Sequence, residues 1–186
     1  MSLNSDGRLD TDEALRLLEL SRQGSAALDM LMLIENRGTV IEGESSRRFA
    51  DGKQRMEVLG YDMHAGLLLP AGASSPRLVV SHLHVVRRCD AATASIASLL
   101  RSQTTDLRIR LSMFRAGGDG SPDAQAKLEF EFEGARVAEI ALLTGGEVGG
   151  PCEVLRFGYR TLRIHSAPQQ ATGARGAVRT CELTGQ

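Results

Sequence analysis

The chain has 186 residues, a length that favours a single domain, and its 42% hydrophobic and 24% charged residues are ordinary for a globular protein with a buried core. A net charge of −1 and an aromatic content of 4%, without tryptophan, argue against nucleic-acid binding, which requires a basic surface or aromatic stacking platforms. Three scattered cysteines, Cys89, Cys152 and Cys181, lack metal-ligand spacing. Their odd number argues against a disulfide framework and favours folding in a reducing, cytoplasmic compartment.

Residues 1–27 differ in pattern from the rest of the chain and predict a helical extension. Asp10 and Glu13 have the spacing of a capping box, and apolar residues then recur at helical spacing, which predicts a helix from about Thr11 to Arg22. This helix either docks on its own domain or contacts a neighbouring subunit. The acidic start does not resemble a signal peptide, and no apolar run approaches the roughly 20 residues that span a bilayer, so we expect no membrane insertion.

Residues 28–186 predict one all-β domain, a barrel or a sandwich, because short apolar runs alternate with turns rich in glycine and proline. The predicted strands are Asp29–Glu35, Thr39–Glu42, Gln54–His64, Arg77–Arg87, Leu107–Arg115, Lys127–Leu143, Val154–Ser166 and a last one near Ala177–Leu183. One segment, Asp90–Arg101, is instead rich in alanine, with Asp90 as a cap and Ile96, Leu99 and Leu100 on one side. It predicts a single helix, inserted between strands, that plugs or covers one end of the barrel.

Opposite charges are arranged on two neighbouring predicted strands. The segment Lys127–Gly134 alternates apolar residues with glutamates, and Leu107–Arg115 alternates apolar residues with arginines. A Gly-rich loop joins them, so we expect an antiparallel hairpin with both sets of charges on one face. Each cross-strand pair would contribute about 0.2–1 kcal/mol, which helps register more than stability. The charged residues, which are also candidate subunit-interface residues, are Arg108, Arg110, Glu129, Glu131 and Glu133.

The predicted strand Arg77–Arg87 is apolar on both faces, which is the best indication of assembly in the composition of the chain. Leu78 and Val80 lie on one face of such a strand, whereas Val79 and Leu83 lie on the other. A strand of this kind needs cover on both faces. The inserted helix, the N-terminal helix or a neighbouring subunit is expected to supply it.

Three arrangements of reactive side chains deserve comparison with known chemistry. His82 and His84 point the same way on a strand, but no third metal ligand is evident, so we favour a packed or interfacial pair over a metal site. The glutamate row offers paired carboxylates for glycoside hydrolysis, but the nearby arginines would keep it ionised, whereas a catalytic acid needs the opposite environment. Cys89 is more typical of a small buried hydrophobe than of a nucleophile. We predict no catalytic, cofactor-binding or metal-binding residue.

The order of features resembles that of the haemolysin-coregulated proteins (Hcp), the tube subunits of bacterial type VI secretion. In the first half of the chain, the matching features are a short strand at Met30–Ile34, the segment Gly43-Glu44-Ser45, an extended loop at Ser46–Gln54 and a strand at Met56–Met63. The next features are a strand at Leu78–Arg87, followed by Asp90 and the helix Ala91–Leu100. The last are the segment Arg115-Ala116-Gly117-Gly118 and a long strand from Lys127 into Thr144-Gly145-Gly146. The penultimate strand adds Phe157, Tyr159 and Leu162 at family spacing. Ile164 and Ser166 replace the aromatic pair that the family shows there, so this chain looks like a divergent member.

The resemblance covers roughly residue 28 to the end and implies a compact barrel that assembles into a hexameric ring. Rings of the family stack into a tube that is exported through the secretion machine without a signal peptide, and the tube carries or binds effectors. Implied partners are therefore further copies of the chain and the sheath, spike and effector proteins. Within the loop Ser46–Lys53, Arg47, Arg48 and Phe49 are the candidate ring-to-ring contact, unless the loop is mobile and solvated. Alternative functions are a monomeric ligand-binding barrel, for carbohydrate or peptide, and a hydrolase.

Overall fold

A computed structural model describes residues 28–69, 71–72, 74–115, 126–144, 150–167 and 176–184, together with Arg16. Apart from Arg16, the predicted helix Thr11–Arg22 lies outside the described residues, so the division into residues 1–27 and 28–186 stays a prediction. The strands are β1 (Leu28–Asn36), β2 (Thr39–Ile41), β3 (Met56–Val58), β4 (Gly60–Asp62), β5 (Ala65–Leu68), β6 (Arg77–Val80), β7 (Leu83–Arg88), β8 (Leu107–Arg115), β9 (Leu128–Leu143), β10 (Cys152–Gly158), β11 (Thr161–Ser166) and β12 (Arg179–Thr184). The helix α1 (Ala92–Arg101) lies between β7 and β8.

The strand pairings run through a complete circuit, which confirms the predicted all-β architecture with an inserted helix. Within the described residues, seven strands of a ten-stranded sheet follow the order β2-β1-β8-β9-β10-β7-β4, while β3 pairs with β1, and β11 pairs with β9 and β12. All these pairs are antiparallel. The same extended segment carries β3 and β4. Its first part pairs with β1 and its second part pairs with β7, while the Leu59 amide donates to the Val86 carbonyl at 2.8 Å. The segment thereby joins the two ends of the sheet.

The inward faces of these strands form one apolar core. Fully buried side chains such as Met32, Ile109 and Phe132 meet Ile96 of α1 there. The helix presents Ala92, Ile96 and Leu99 to this core, at the spacing that places residues on one face of a helix. At 20–33 cal/mol per Å² of apolar surface, each fully buried side chain of this size stabilises the fold by about 1.5–3 kcal/mol.

Three predicted strands are each divided in the structure. The predicted strand Gln54–His64 breaks at Leu59 into β3 and β4. The predicted strand Arg77–Arg87 breaks at Ser81 and His82 into β6 and β7, which belong to different sheets. The predicted strand Val154–Ser166 breaks at Tyr159 and Arg160 into β10 and β11. Since β6 and β7 belong to different sheets, and β10 and β11 pair with different parts of β9, these last two breaks depend on tertiary pairing that the local pattern does not show. The short strand β5 was not predicted.

A bulge at Gly134 reverses which side of β9 faces the core. Before it, Phe130 and Phe132 are buried; after it, Ala135 and Val137 are buried, so the inward positions change from even to odd numbers. The pairing with β8 slips by one residue at the same place, as expected for one extra residue in β9. Gly134 has φ of +61°, and a Cβ there would collide with the guanidinium of Arg160. Glycine therefore suits this position on two grounds.

One ion pair is entirely buried at the end of the barrel where α1 begins. Arg87 and Glu153 are both 0% exposed and face each other across β7 and β10, with Nε and Oε1 at 3.2 Å. Arg87 also pairs with Asp90, whose Oδ1 accepts the Ala92 amide at 2.8 Å. Burial raises the pKa of Glu153, and the Arg87 charge opposes that effect in part. Ala91 directly precedes the helix and makes no side-chain cap, so Asp90 supplies the capping bond from one residue earlier than the helix boundary. The Asp90 carboxylate also links the helix to the buried pair.

Replacing Gly134 with alanine should lower the free energy of unfolding by about 1–2 kcal/mol, because an L-residue is strained at this positive φ. Urea unfolding followed by circular dichroism measures this change. Gly150→Ala is the matched control, since Gly150 has no positive φ and no heavy atom within 4 Å of an added Cβ. Equal stability of the Gly134 variant and the wild type would contradict the assigned strain.

Replacing Arg87 with methionine should lower the free energy of unfolding by about 3–5 kcal/mol, because it leaves Glu153 buried without its counter-charge. The double variant Arg87→Met with Glu153→Leu should recover much of that loss, since two apolar side chains do not need compensation. Arg88→Met, at the exposed neighbouring position, should stay within about 0.5 kcal/mol of the wild type. The midpoints of urea unfolding of the three variants measure these changes in stability. Equal midpoints for the Arg87 and Arg88 variants would contradict the stabilising role assigned to the Arg87–Glu153 pair.

Candidate assembly surfaces

The segment Gly43-Glu44-Ser45 follows β2 and is held against the start of α1 by hydrogen bonds. A Cβ on Gly43 would lie 2.7 Å from the Arg55 carbonyl oxygen and 2.7 Å from Met56 Cγ, so only glycine fits. The Glu44 amide donates to Asp90 Oδ2 at 3.2 Å, and Glu44 Oε1 accepts the Ala91 amide at 3.3 Å. The acidic side chain therefore sits where the unpaired amides of a helix N-terminus favour negative charge.

Ser45 joins the two ends of the following loop through hydrogen bonds to Arg55. Its amide donates to the Arg55 carbonyl at 2.9 Å, and its Oγ accepts the Arg55 amide at 3.0 Å. The side chain is only 3% exposed, so this pair of bonds is shielded from water. Residues 46–54 consequently leave and rejoin the barrel at one point.

The loop itself packs on the outer side of β1 and β8 through aromatic contacts. The ring of Phe49 meets that of Phe114 edge to face at 6.0 Å, over a small cluster that includes Leu31. The Arg47 guanidinium lies 4.4 Å from the centre of the Phe114 ring, and that of Arg55 lies 4.5 Å from the Phe49 ring, both within cation–π range. Of the three residues predicted for ring-to-ring contact, Arg47 and Phe49 thus contact their own barrel, and Arg48 is exposed.

The predicted arginine and glutamate row forms on one face of the sheet, across β8 and β9. Arg108 contacts Glu131 and Glu133, each at 3.5 Å, and Arg110 contacts Glu129 at 3.6 Å and Glu131 at 3.8 Å. Ser112 Oγ also donates to Glu129 at 2.9 Å. The predicted hairpin and its shared charged face are therefore confirmed.

The charged face extends further than predicted, onto β11 and β12. Arg163 contacts Glu133 at 2.7 Å and Glu182 at 2.8 Å, and His165 Nε2 lies 3.8 Å from Glu131. Sequence reasoning missed Arg163 because it treated β10 and β11 as one strand. These charges neutralise one another within the chain and are mostly solvent-screened, so each pair contributes little to stability. Their role in contact between subunits stays a prediction.

The hairpin of β5 and β6 exposes large apolar side chains. Leu67, Leu68 and Leu69 are 72%, 57% and 60% exposed, and Val79 is 42% exposed. Leu67 pairs with Leu78 and Leu68 with Arg77, so Leu67 and Leu68 project from opposite faces of this two-stranded sheet. By contrast, the continuation of the same chain in β7 is buried from Leu83 to Arg87. The cover that the apolar strand requires is thus present for β7 and missing from the described residues for β6.

The side chains considered for other chemistry lie apart from one another. His84 is 9% exposed, with Nδ1 at 3.7 Å from Asp62 Oδ2, whereas His82 lines a cleft before β7. Cys89 follows the opposite end of β7, about 20 Å from His82 at the rise of a strand, and burial raises the pKa of its thiol. Among the described residues no cluster of three or more His, Cys, Asp or Glu side chains is arranged to hold a metal.

Among the residues that the structure describes, no helix has both the length and the apolar character that crossing a bilayer requires.

Comparisons with known proteins identify this fold. One solved structure of a type six secretion system protein matches with a TM-score of 0.67 and 22% identity, covering 85% of this chain and 96% of that one. Hcp1 from Salmonella typhimurium matches with a TM-score of 0.63 and 18% identity, over 85% of this chain and 95% of that one. The secreted protein Hcp3 from Pseudomonas aeruginosa matches with a TM-score of 0.59 and 14% identity, over 86% and 99%.

No family model matches the chain, and no curated protein matches it by sequence. The structural likeness nonetheless runs through nearly the whole length of each of these neighbours. It confirms the resemblance that the order of sequence features indicated. This chain has the Hcp fold, in a form whose sequence has diverged widely from the solved examples.

Proposed function

We propose that the chain is a structural tube subunit of a bacterial type VI secretion system, which assembles into hexameric rings that stack and carry or bind effectors. The observation that carries this proposal is the apolar hairpin of β5 and β6 on an Hcp fold. Among the described residues, Leu67, Leu68, Leu69 and Val79 are exposed at this hairpin, and exposed apolar surface of this kind marks a contact with another protein. A second copy is the partner that the fold favours.

The arrangement suits contacts between unlike surfaces of identical subunits. A hairpin that projects from one side of a barrel meets a different surface on the next copy, and contacts of this type produce rings when the rotation closes. Export of such rings through the secretion machine would follow cytoplasmic assembly, with sheath, spike and effector proteins as further partners. The loop of residues 46–53 presents Arg48 on a rigid base and is the proposed contact between stacked rings.

The geometry of the glutamate row favours this reading over a hydrolase. Glu129, Glu131 and Glu133 each contact an arginine within 4.0 Å. A carboxyl group that donates a proton in glycoside hydrolysis must instead be held in its neutral form. These residues are therefore assigned to a structural face.

The double variant Leu67→Asp with Leu68→Asp should dissociate the ring into monomers. Burying one leucine contributes about 1.5–3 kcal/mol, so losing two per contact weakens association by more than about a hundredfold. Size-exclusion chromatography with light scattering measures the mass, and circular dichroism verifies the fold. The control variant Ser74→Asp with Ser75→Asp adds the same charge to the exposed turn of this hairpin and should keep the wild-type mass. A wild-type mass for the leucine variant would exclude the hairpin as the contact.

Arg48→Glu should leave single rings intact and shorten or abolish stacks of rings. Arg48 is exposed and lies outside the aromatic packing of the loop, so its replacement leaves Phe49 and Phe114 in place. Negative-stain electron microscopy distinguishes rings from tubes. Arg101→Glu, an equal charge change at the exposed end of α1, serves as the control. Tubes of wild-type length from the Arg48 variant would count against the loop as the stacking contact.

A further inference from the structure

A cleft of about 810 Å³ lies near the start of β7, where the chain between α1 and β8 meets the turn between β10 and β11. It is lined by Val80, Ser81, His82, Thr105, Asp106, Gly134, Arg136, Gly158, Tyr159 and Arg160. A second depression of about 480 Å³ shares His82, Thr105 and Arg136 with it and adds Arg156. The two together form one elongated groove, which is too large for a single small anion.

The basic side chains of this groove differ in how they are paired. Arg156 contacts Glu139 at 2.9 Å, and Arg160 contacts Asp106 at 2.6 Å, where both partners are about three-quarters exposed. Arg136 is exposed and has no carboxylate partner among the described residues. The groove therefore carries one uncompensated positive charge in addition to its two ion pairs.

Two glycines lie against the basic side chains of this groove. A Cβ on Gly158 would lie 3.5 Å from Arg136 Nε and 3.6 Å from His82 Cδ2, so both side chains pass close over the Gly158 backbone. Gly134 similarly leaves room for the Arg160 guanidinium. Burial, followed by the charges of Arg156, His84 and Arg136, lowers the pKa of His82, so that its neutral ring can donate one hydrogen bond at neutral pH.

A polar group in the same wall lacks a partner. The Tyr159 hydroxyl is buried and makes no hydrogen bond within the described part of the chain, although its ring packs edge to face on Phe132 at 4.9 Å. A buried hydroxyl without a partner costs about 1–3 kcal/mol, a cost that an acceptor on a bound molecule removes.

We propose that this groove binds a protein segment rich in acidic side chains, with Arg136 pairing a carboxylate through two parallel hydrogen bonds. The planar guanidinium matches a carboxylate in this way and stays charged at all relevant pH values. His82, Thr105 and Tyr159 donate to further oxygens of the segment. The proposal does not require ring assembly, because every residue that it uses belongs to one copy.

The test measures the binding of a labelled decapeptide of alternating aspartate and glycine to the full chain by fluorescence anisotropy. The wild type should bind it saturably, and should bind the corresponding asparagine peptide at least about tenfold more weakly. Arg136→Gln should weaken binding of the acidic peptide about tenfold or more. The affinity of Arg136→Lys should fall between that of this variant and that of the wild type, since lysine keeps the positive charge but lacks the planar guanidinium that makes two parallel hydrogen bonds. Arg88→Gln should bind like the wild type, because Arg88 is an exposed arginine at the last position of β7, at the opposite end of that strand from His82.

Three results would overturn the proposal. These are equal binding of the aspartate and asparagine peptides, an equal loss for the Arg136 and Arg88 variants, and full displacement of the peptide by millimolar inorganic phosphate, which would make the groove a site for a small anion. Because Arg136 is exposed, its variants should fold, and circular dichroism verifies this. The mass of the assembly is recorded in the same samples, so peptide binding by a monomer would support the groove and contradict the tube.

Discussion

A strand that is apolar on both faces must be covered on both, and the chain from Arg77 to Arg88 meets this requirement for only half its length. In β7 the side chains from Leu83 to Arg87 are buried between the core and the outer cluster around Val154. In β6 and its partner β5, leucines and Val79 remain exposed. The same composition thus produces an interior strand in β7 and, within the residues that the structure describes, an exposed hairpin in β5 and β6. The proposed function depends on this difference.

The rest of the barrel is built so that the hairpin and the loop of residues 46–53 project from a rigid body. The segment that carries β3 and β4 joins both ends of the large sheet. Glu44 and Asp90 tie the loop to the start of α1, and Arg87 ties Asp90 to the buried Glu153. Charge buried this deeply is seldom a net source of stability compared with apolar packing. We interpret it as a device that fixes the register of the helix against the barrel.

Local pattern was sufficient to predict the elements whose side chains alternate regularly. The strand Leu107–Arg115, the hairpin that it forms with β9, its charged face and the inserted helix all follow from the spacing of apolar residues. The breaks at Ser81 and at Tyr159 were beyond such reasoning, because β6 and β7 join different sheets and β10 and β11 pair with different parts of β9. The sequence does carry a signal for the bulge, a glycine within a predicted strand. The reason for that glycine is seen only in the structure, where Arg160 lies against it. The exposed leucines before Pro70 are present in the sequence as a run, but only the structure shows that the described residues leave them exposed.

The groove around Arg136 likewise could not be predicted from the sequence. Its lining residues come from several separate segments, and none of them forms a motif in the sequence. What distinguishes it, within the described residues, is a guanidinium without a carboxylate partner, a glycine that leaves room for Arg160 and a hydroxyl without a hydrogen-bond partner, all of which are properties of the folded chain. Assembly and recognition are in this way assigned to different surfaces of one barrel.

Electron microscopy of the purified full-length chain, at a resolution that traces strands, tests the central claim most directly. The account predicts rings of identical subunits in which the β5–β6 hairpin of each copy lies against the barrel of the next, with Leu67 and Leu68 buried at the contact. Solitary barrels at high protein concentration, or rings whose hairpins point into solvent, would contradict it.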